Sequence, residues 1–187
     1  MENEVVPYVD EWTGRKEYPL HIQGAIHELG VHQAVCLLEP SFGDSTVGSY
    51  DSLHELIVWS EIYRVSLNSV TLMLGIDSMA MPPIIKYALH RMKQAIVPRV
   101  VDGSIYIALA ISASTAGSDV SNITTFAEKT ADGKHYVING PKKWISAANI
   151  CAYFTCCVRT REGGAGGISV LIVPKESKGL LVRPMKM

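Results

Sequence analysis

Two stretches of the chain carry residue types that could hold a polar ligand. The first, residues 109–119, reads Leu-Ala-Ile-Ser-Ala-Ser-Thr-Ala-Gly-Ser-Asp, an apolar strand that ends in a loop of small residues. Such a loop lets backbone N–H groups and hydroxyls approach a ligand closely. The alternative is an ordinary turn in which Ser118 or Asp119 caps the next segment, and composition alone favours that alternative.

The second stretch, residues 137–146, reads Val-Ile-Asn-Gly-Pro-Lys-Lys-Trp-Ile-Ser. Trp144 has a large flat face and Ser146 has a hydroxyl, and in a strand the two would lie on the same side. The alternative is a buried tryptophan that anchors a sheet. Taken singly, that structural role is the better interpretation.

Composition excludes several other function classes. The chain has 187 residues, of which 48% are hydrophobic and 19% charged, as in ordinary globular proteins. A net charge of −1 argues against nucleic acid or an anionic membrane as partner, and no apolar run is long enough to span a bilayer. The acidic N-terminus shows no signal or transit peptide, which predicts an intracellular, cytoplasmic protein.

The cysteines argue against two further kinds of site. They are Cys36, Cys151, Cys156 and Cys157. Their spacing fits neither a zinc site nor a disulfide framework, and no other metal site is predicted. We therefore interpret them as reduced thiols.

The first part of the chain has the hydrophobic periodicity of helices. Ser52 followed by Glu55 has the spacing of a capping box. Residues 69–81 are nearly all apolar and predict an interior helix. The proline pair at 82–83 then predicts the start of another helix, which Gly103 ends.

The second part has the pattern of strands. Short apolar runs predict strands at residues 105–112, 124–130, 135–139, 153–160 and 168–174. Asp132-Gly133 is a hairpin signal, and the glycine-rich residues 163–167 read as a mobile hairpin tip, because no helix and no Lys-Ser/Thr follow them. Strands without intervening helices favour an antiparallel sheet, barrel or sandwich over a βαβ fold. The predicted class is α+β, with an N-terminal helical domain at 1–104 and an incomplete β-domain at 105–187.

The two candidate stretches occur in an order typical of one family. An apolar strand ending in Ala-Gly-Ser-Asp-Val, then a hairpin reading Tyr-Val-Ile-Asn-Gly-Pro-Lys-Lys-Trp-Ile-Ser, resembles the middle domain of acyl-CoA dehydrogenases. Upstream, the Lys-x₄-Pro-x₄-Gly frame of residues 93–103 is similar to the helix that precedes that domain. The resemblance is strong over residues 82–187 and traceable at 29–30 and 61–64.

This resemblance implies an FAD-dependent enzyme that introduces an α,β double bond into an acyl thioester carried by coenzyme A or a carrier protein, in fatty acid or polyketide metabolism. Ser112 would offer its hydroxyl to the flavin's pyrimidine edge, and Ser146 would reach N5. Ser118 would also contact the acyl substrate. The cofactor-binding residues implied by the resemblance are Leu109, Ala110, Ile111, Ser112, Ala116, Gly117, Ser118, Trp144, Ile145 and Ser146.

Two departures from the family pattern stand out. Ala113-Ser114-Thr115 replaces the usual Glu-Pro-Gly, which predicts a changed loop backbone beside the cofactor. The family's proton-abstracting glutamate lies on a later helical domain, so no catalytic residue is assigned, and we expect a truncated form that is inactive alone. The family implies a homo-oligomer, and an open β edge would favour self-association. The alternative is a non-catalytic binding or assembly module.

Overall fold

The computed structural model describes residues 6–15, 22–32, 36, 51–64 and 68–185. The chain divides into two compact units, Met1–Ile105 and Tyr106–Met187. The first, called here the helical unit, contains only helices and turns in its described residues, and the second, the β unit, is built on a sheet. The predicted α+β class is confirmed.

Buried aliphatic side chains hold the helical unit together. Its described helices are α1 (Val9–Arg15), α2 (Ile22–Glu28), α3 (Ser52–Arg64), α4 (Asn68–Tyr87) and α5 (His90–Val101). Ile22 and Ile26 of α2 pack with Ile62 of α3 and Leu74 of α4. Short helices are marginal alone, so this packing stabilises them. None of the helices in the described part of the chain combines the length and apolar character needed to cross a bilayer.

The start of α3 differs from the predicted capping box. The cap is Asp51, whose Oδ1 accepts hydrogen bonds from the backbone N–H groups of Leu53 (3.0 Å) and His54 (3.1 Å). Ser52 is the first helical residue, and the Glu55 carboxylate accepts a bond from the indole N–H of Trp59. Aspartate caps as well as serine, so the residue one position earlier took the role.

The proline pair does not begin a new helix, contrary to the sequence prediction. Helix α4 continues through Pro82 and Pro83 to Tyr87. Met81 and Ile84 on either side are fully buried. Their burial offsets the lost N–H donors and ring clashes, which cost about 3 kcal/mol for an interior proline. The predicted stop is confirmed, because α5 ends at Val101 and Gly103 follows with φ 74°.

A buried polar pair lies inside the helical unit. Nε2 of His32 is 3.1 Å from Oδ2 of Asp77, and both side chains are 1% exposed. Burial raises the pKa of Asp77, and the bond and charge of His32 act in the opposite sense. Oδ1 of Asp77 meets no hydrogen-bond donor among the residues that the structure describes. A polar pair in this position makes the unit sensitive to loss of either partner.

The β unit is a five-stranded open sheet over the described residues. Its strands are β1 (Ile107–Ala110), β2 (Phe126–Lys129), β3 (Tyr136–Asn139), β4 (Tyr153–Arg159) and β5 (Ile168–Pro174). Strand β4 is central, because three strands pair with it. Strand β5 pairs along its whole length, β1 pairs with its first four residues, and β2 pairs with its last residue, Arg159. The main apolar core forms on one face around Phe154, Cys156 and Val158.

The expectation of an antiparallel sheet, barrel or sandwich holds in part, because over the described residues the sheet is open and only some of its strand pairs are antiparallel. Pairs β2–β3 and β4–β5 are antiparallel, but β1 and β2 each pair with β4 in parallel. The predicted Asp-Gly hairpin is found, with Gly133 at φ 68° between β2 and β3. Parallel pairing joins strands distant in sequence, and local periodicity carries no information about it.

Candidate functional site

The first candidate segment leaves the sheet at the end of β1. The β1–β4 ladder ends at the Ala110–Cys156 pair, and residues 111–112 continue beyond it. A tight turn follows, in which Ala113 and Ala116 exchange backbone hydrogen bonds of 2.9 and 3.2 Å. Both alanines are buried, whereas Ser114 and Thr115 at the tip of the turn are exposed. This is the loop in which Glu-Pro-Gly is replaced; backbone bonds close the turn, and the hydroxyl of Thr115 lies 3.3 Å from that of Thr124.

Gly117 and Ser118 lie beyond the turn on open surface. Both are exposed, and no atom lies within 4 Å of where a Cβ of residue 117 would be. Asp119 next accepts hydrogen bonds from the side chains of Ser121 and Asn122, and these bonds lower its pKa. Asp119 stands at the N-cap position of the 3-10 turn Val120–Asn122 but makes no side-chain capping bond, and Ser118 beside it is exposed.

The second segment leaves the sheet at the end of β3. Gly140 has φ 125°, and the carbonyl of Pro141 accepts a 2.8 Å bond from the hydroxyl of buried Thr125. Trp144 and Ala147 then have φ values of 59° and 60°, which are rare for residues with a Cβ. Strain of this kind persists only where the surroundings hold it, and it clusters at functional sites.

Trp144 is not the buried anchor that the structural alternative requires. Its side chain is 57% exposed, and its main partner is Nζ of Lys143, 4.5 Å from the ring centroid. A large exposed aromatic on a strained backbone offers a flat apolar face. Ile145 and Ser146 beside it are half-buried.

Two hydrogen bonds join the segments. The backbone N–H of Lys143 donates to the carbonyl of Ser112 at 3.0 Å. The side-chain Nζ of Lys142 donates to the carbonyl of Ile111 at 2.7 Å. Residues about thirty positions apart in sequence are therefore bonded in consecutive pairs at the edge of the sheet, Ile111 with Lys142 and Ser112 with Lys143. We call the region of these two bonds the junction. It holds Ser112 against Lys143, the residue before Trp144, whereas the Ala113–Ala116 turn separates Ser118 from it.

The predicted residues divide by exposure. Ala110 and Ala116 are buried supports, Gly117, Ser118 and Trp144 are exposed, and the half-buried residues are Leu109, Ile111, Ser112, Ile145 and Ser146. Lys142 is a site residue that was not predicted from the sequence. The only sequence feature that pointed to it is its position two residues before Trp144, just after the end of β3.

The electrostatics of the junction come from Lys142 and two thiols. Burial lowers the pKa of Lys142, and the nearby Cys156 and Cys157 act in the opposite sense. Burial also raises the pKa of Cys156 to about 11, so this thiol is neutral near pH 7 and no reactive thiolate is present there. All four cysteines are free, in agreement with the prediction of reduced thiols.

A separate open cleft of about 390 Å³ lies at the other loops of the β unit. It is lined by Ser121, Asn122, Ile123, Thr124, Arg159, Glu162, Gly163 and Gly164. The Arg159 guanidinium there donates to the carbonyls of Ile123 (3.2 Å) and Gly164 (3.1 Å), so it ties the loops together. The 3-10 turn Gly164–Gly167 links β4 to β5, as the predicted hairpin tip requires. No predicted site residue lines this cleft.

The described residues contain no cluster of three His, Cys, Asp or Glu side chains that could hold a metal ion. The two segments instead offer the hydroxyls of Ser112 and Ser146 and the exposed face of Trp144 near the junction, and open surface around Gly117 and Ser118 beyond the turn. These features fit a large, flat ligand with polar edges.

Sequence comparison matches the whole chain to one family. The sequence model of the N-terminal domain of acyl-CoA dehydrogenase matches residues 1–104, and that of the middle domain matches residues 108–187. The acyl-CoA dehydrogenase AFT10-1 of Alternaria alternata is 30% identical over an alignment 192 residues long, gaps included. The alignment covers 96% of this chain and 44% of the relative. The chain thus spans less than half of the length of that relative.

Solved structures give the same fold. A crystal structure of an acyl-CoA dehydrogenase homologue from Mycobacterium smegmatis is 30% identical, with a TM-score of 0.87 over 99% of this chain and 47% of the other. The Bacillus anthracis acyl-CoA dehydrogenase, solved in complex with FAD, matches with a TM-score of 0.83 at 23% identity, over all of this chain and 31% of the other. At that identity the second likeness concerns the fold alone.

Proposed function

Because the chain belongs to the acyl-CoA dehydrogenase family, we propose that residues 109–118 and 144–146 form one wall of an FAD site that serves desaturation of an acyl thioester. The observation that carries this proposal is the junction, in which Lys142 and Lys143 bond the carbonyls of Ile111 and Ser112. It brings both segments to one edge of the sheet.

Each residue of this wall has a role that its position supports. The hydroxyls of Ser112 and Ser146 bind polar edges of the cofactor, and the exposed face of Trp144 lies against it and excludes water. Ser118, on open surface beyond the turn, is left for the acyl thioester. FAD, when bound, would supply the acceptor for the β-hydrogen, which leaves the acyl chain as a hydride carrying both electrons.

Asp119 is unsuited to remove the substrate's α-proton, although it follows Ser118 directly. Its carboxylate is bonded to the Ser121 and Asn122 side chains, and those bonds hold its pKa below the ordinary value. An effective general base at neutral pH needs a pKa near the working pH. We therefore assign Asp119 to the loop and no catalytic residue to the β unit.

The domain assignment is part of the same proposal. Residues 1–104 serve as the N-terminal helical domain and residues 105–187 as the middle β-domain. The matches to the family's N-terminal and middle domains, over residues 1–104 and 108–187, support this division. The thioester is carried by coenzyme A, as is typical of the family, or by a carrier protein.

Titration of the purified chain with FAD tests the proposal. We expect saturable quenching of flavin fluorescence with a Kd of about 100 µM, as suits a one-sided contact. Trp144→Ala should weaken binding about 3- to 10-fold, because an aromatic contact contributes about 0.5–1.5 kcal/mol beyond its buried area.

Tyr136→Ala is the matched control for that experiment. Tyr136 is also an exposed aromatic of the β unit, with Nζ of Lys129 5.8 Å from its ring centroid, but it lies outside both segments. Its removal should leave the Kd within about twofold. Unsaturable quenching, or equal losses in both variants, would refute this location for the cofactor.

A further inference from the structure

Among the described residues, Lys142 makes the one hydrogen bond between the two segments that depends on a side chain. The 3.0 Å bond from the N–H of Lys143 to Ser112 comes from the backbone and would form with any residue except proline. The 2.7 Å bond from Nζ of Lys142 to the carbonyl of Ile111 needs a long donor at this position. Without it, the first carbonyl beyond the β1 ladder would lose its partner.

The environment of Lys142 makes this bond stronger than a surface contact. The side chain is half-buried, and burial is the main cause that lowers its pKa. A hydrogen bond from an ammonium group to a partly buried carbonyl is charge-assisted and about twice as strong as a neutral one. The only ionisable neighbours that act on it are Cys156 and Cys157 among the described residues. No carboxylate is among them to neutralise the charge.

We propose that Lys142 is a positioning residue of the flavin site, which fixes the Ile111–Ser112 backbone against the Trp144 segment and places a positive charge behind Ser112. This inference rests on the proposed function. The clamp sets the direction of the Ser112 hydroxyl relative to the Trp144 face. The charge favours the more negative, reduced form of a cofactor held on Ser112, in the manner of other charges near flavin edges.

Three variants test this role by FAD titration and by the visible absorption spectrum of the bound flavin. Lys142→Met removes donor and charge but keeps most of the chain length, and it should weaken FAD binding about 10- to 100-fold and shift the flavin band. Lys142→Arg keeps both, and it should restore affinity to within about threefold of the original protein.

Lys175→Met is the matched control. Nζ of Lys175 donates to the carbonyl of Asn149 at 2.6 Å, so this variant loses the same kind of bond in the same unit, between two residues that lie outside both segments. Its Kd and flavin spectrum should not change. Thermal unfolding without FAD, measured on all variants, separates misfolding from a positioning effect.

The outcomes discriminate between the two proposals. If the original protein does not bind FAD, the proposed function fails, and this inference fails with it. If it binds FAD but Lys142→Met has the same Kd and spectrum, Lys142 is no positioning residue and the proposed function stands. Equal losses of affinity and of thermal stability in Lys142→Met and Lys175→Met would also overturn the inference. If Lys142→Met does not fold, Lys142→Arg decides the question. A Lys142→Arg protein that folds but does not bind FAD would also overturn the inference.

Discussion

Replacement of Gly140 by alanine is expected to destabilise the β unit by about 3–5 kcal/mol, the sum of backbone strain and overpacking. The residue has φ 125°, a region open essentially to glycine alone. A Cβ there would lie 2.8 Å from the Cα of Thr125, a backbone atom that cannot swing away. Thr125 is itself buried and bonded through its hydroxyl to Pro141.

Gly133→Ala separates the two contributions. Gly133 also has positive φ, at 68°, but no atom lies within 4 Å of its added Cβ. It should therefore lose only about 1 kcal/mol, the cost of alanine in a left-handed conformation. Hydrogen exchange of the β2, β3 and β4 amides, which reports on the β unit alone, measures both variants. Equal losses would show that the close approach to Thr125 has no energetic weight.

Gly140→Ala should also abolish detectable FAD binding. Gly140 directly precedes Pro141 and the two lysines that join the segments, so a shift of its backbone displaces both hydrogen bonds of the junction. Gly133→Ala, at the far end of the hairpin, should bind FAD normally.

Replacement of Asp77 by alanine is expected to destabilise the helical unit by about 3–5 kcal/mol, the usual effect of removing one partner from a buried polar pair. His32 would keep its buried position and lose its 3.1 Å contact, and the space of the carboxylate would become a cavity. Urea unfolding followed by the helical signal in circular dichroism measures the loss.

Asp51→Ala is the control, because Asp51, the residue before α3, pairs with His54 at 2.7 Å on the exposed surface of the unit. It should cause a smaller loss, of about 1 kcal/mol, which is the usual cost of removing a helix N-cap, because water replaces the exposed contact with the His54 ring. The pH dependence gives a second check. Because burial raises the folded pKa of Asp77, its contribution to stability is full below the ordinary aspartate pKa and falls as pH rises through the folded value. The stability of the original protein relative to Asp77→Asn should fall in that direction, and a rise would contradict the account.

The sequence predicts features that depend on neighbours along the chain. The stop at Gly103 and the turn at Gly133 both follow from residues that accept left-handed backbone. The continuation of α4 through its prolines could not be predicted in this way, because it depends on the burial of Met81 and Ile84 by the rest of the unit. The parallel pairing of β1 with β4 is likewise non-local.

The candidate site shows the same division. Ser112 and Trp144 could be proposed from motifs in the right order, which resemble a known family. Lys142 could not, because its role depends on the position of the Ile111 carbonyl, which only the folded β unit fixes. The exposure of Trp144 was also invisible in sequence, where a tryptophan is more often buried.

Hydrogen exchange of the full chain with and without FAD tests the central claim most directly. With FAD at about 1 mM, roughly tenfold above the expected Kd, amides of residues 111–118 and 142–148 should exchange more slowly. Amides of residues 121–124 and 162–164, which line the separate cleft, should not change. Protection of the cleft instead, or no protection of either segment, would contradict the assignment of the flavin wall.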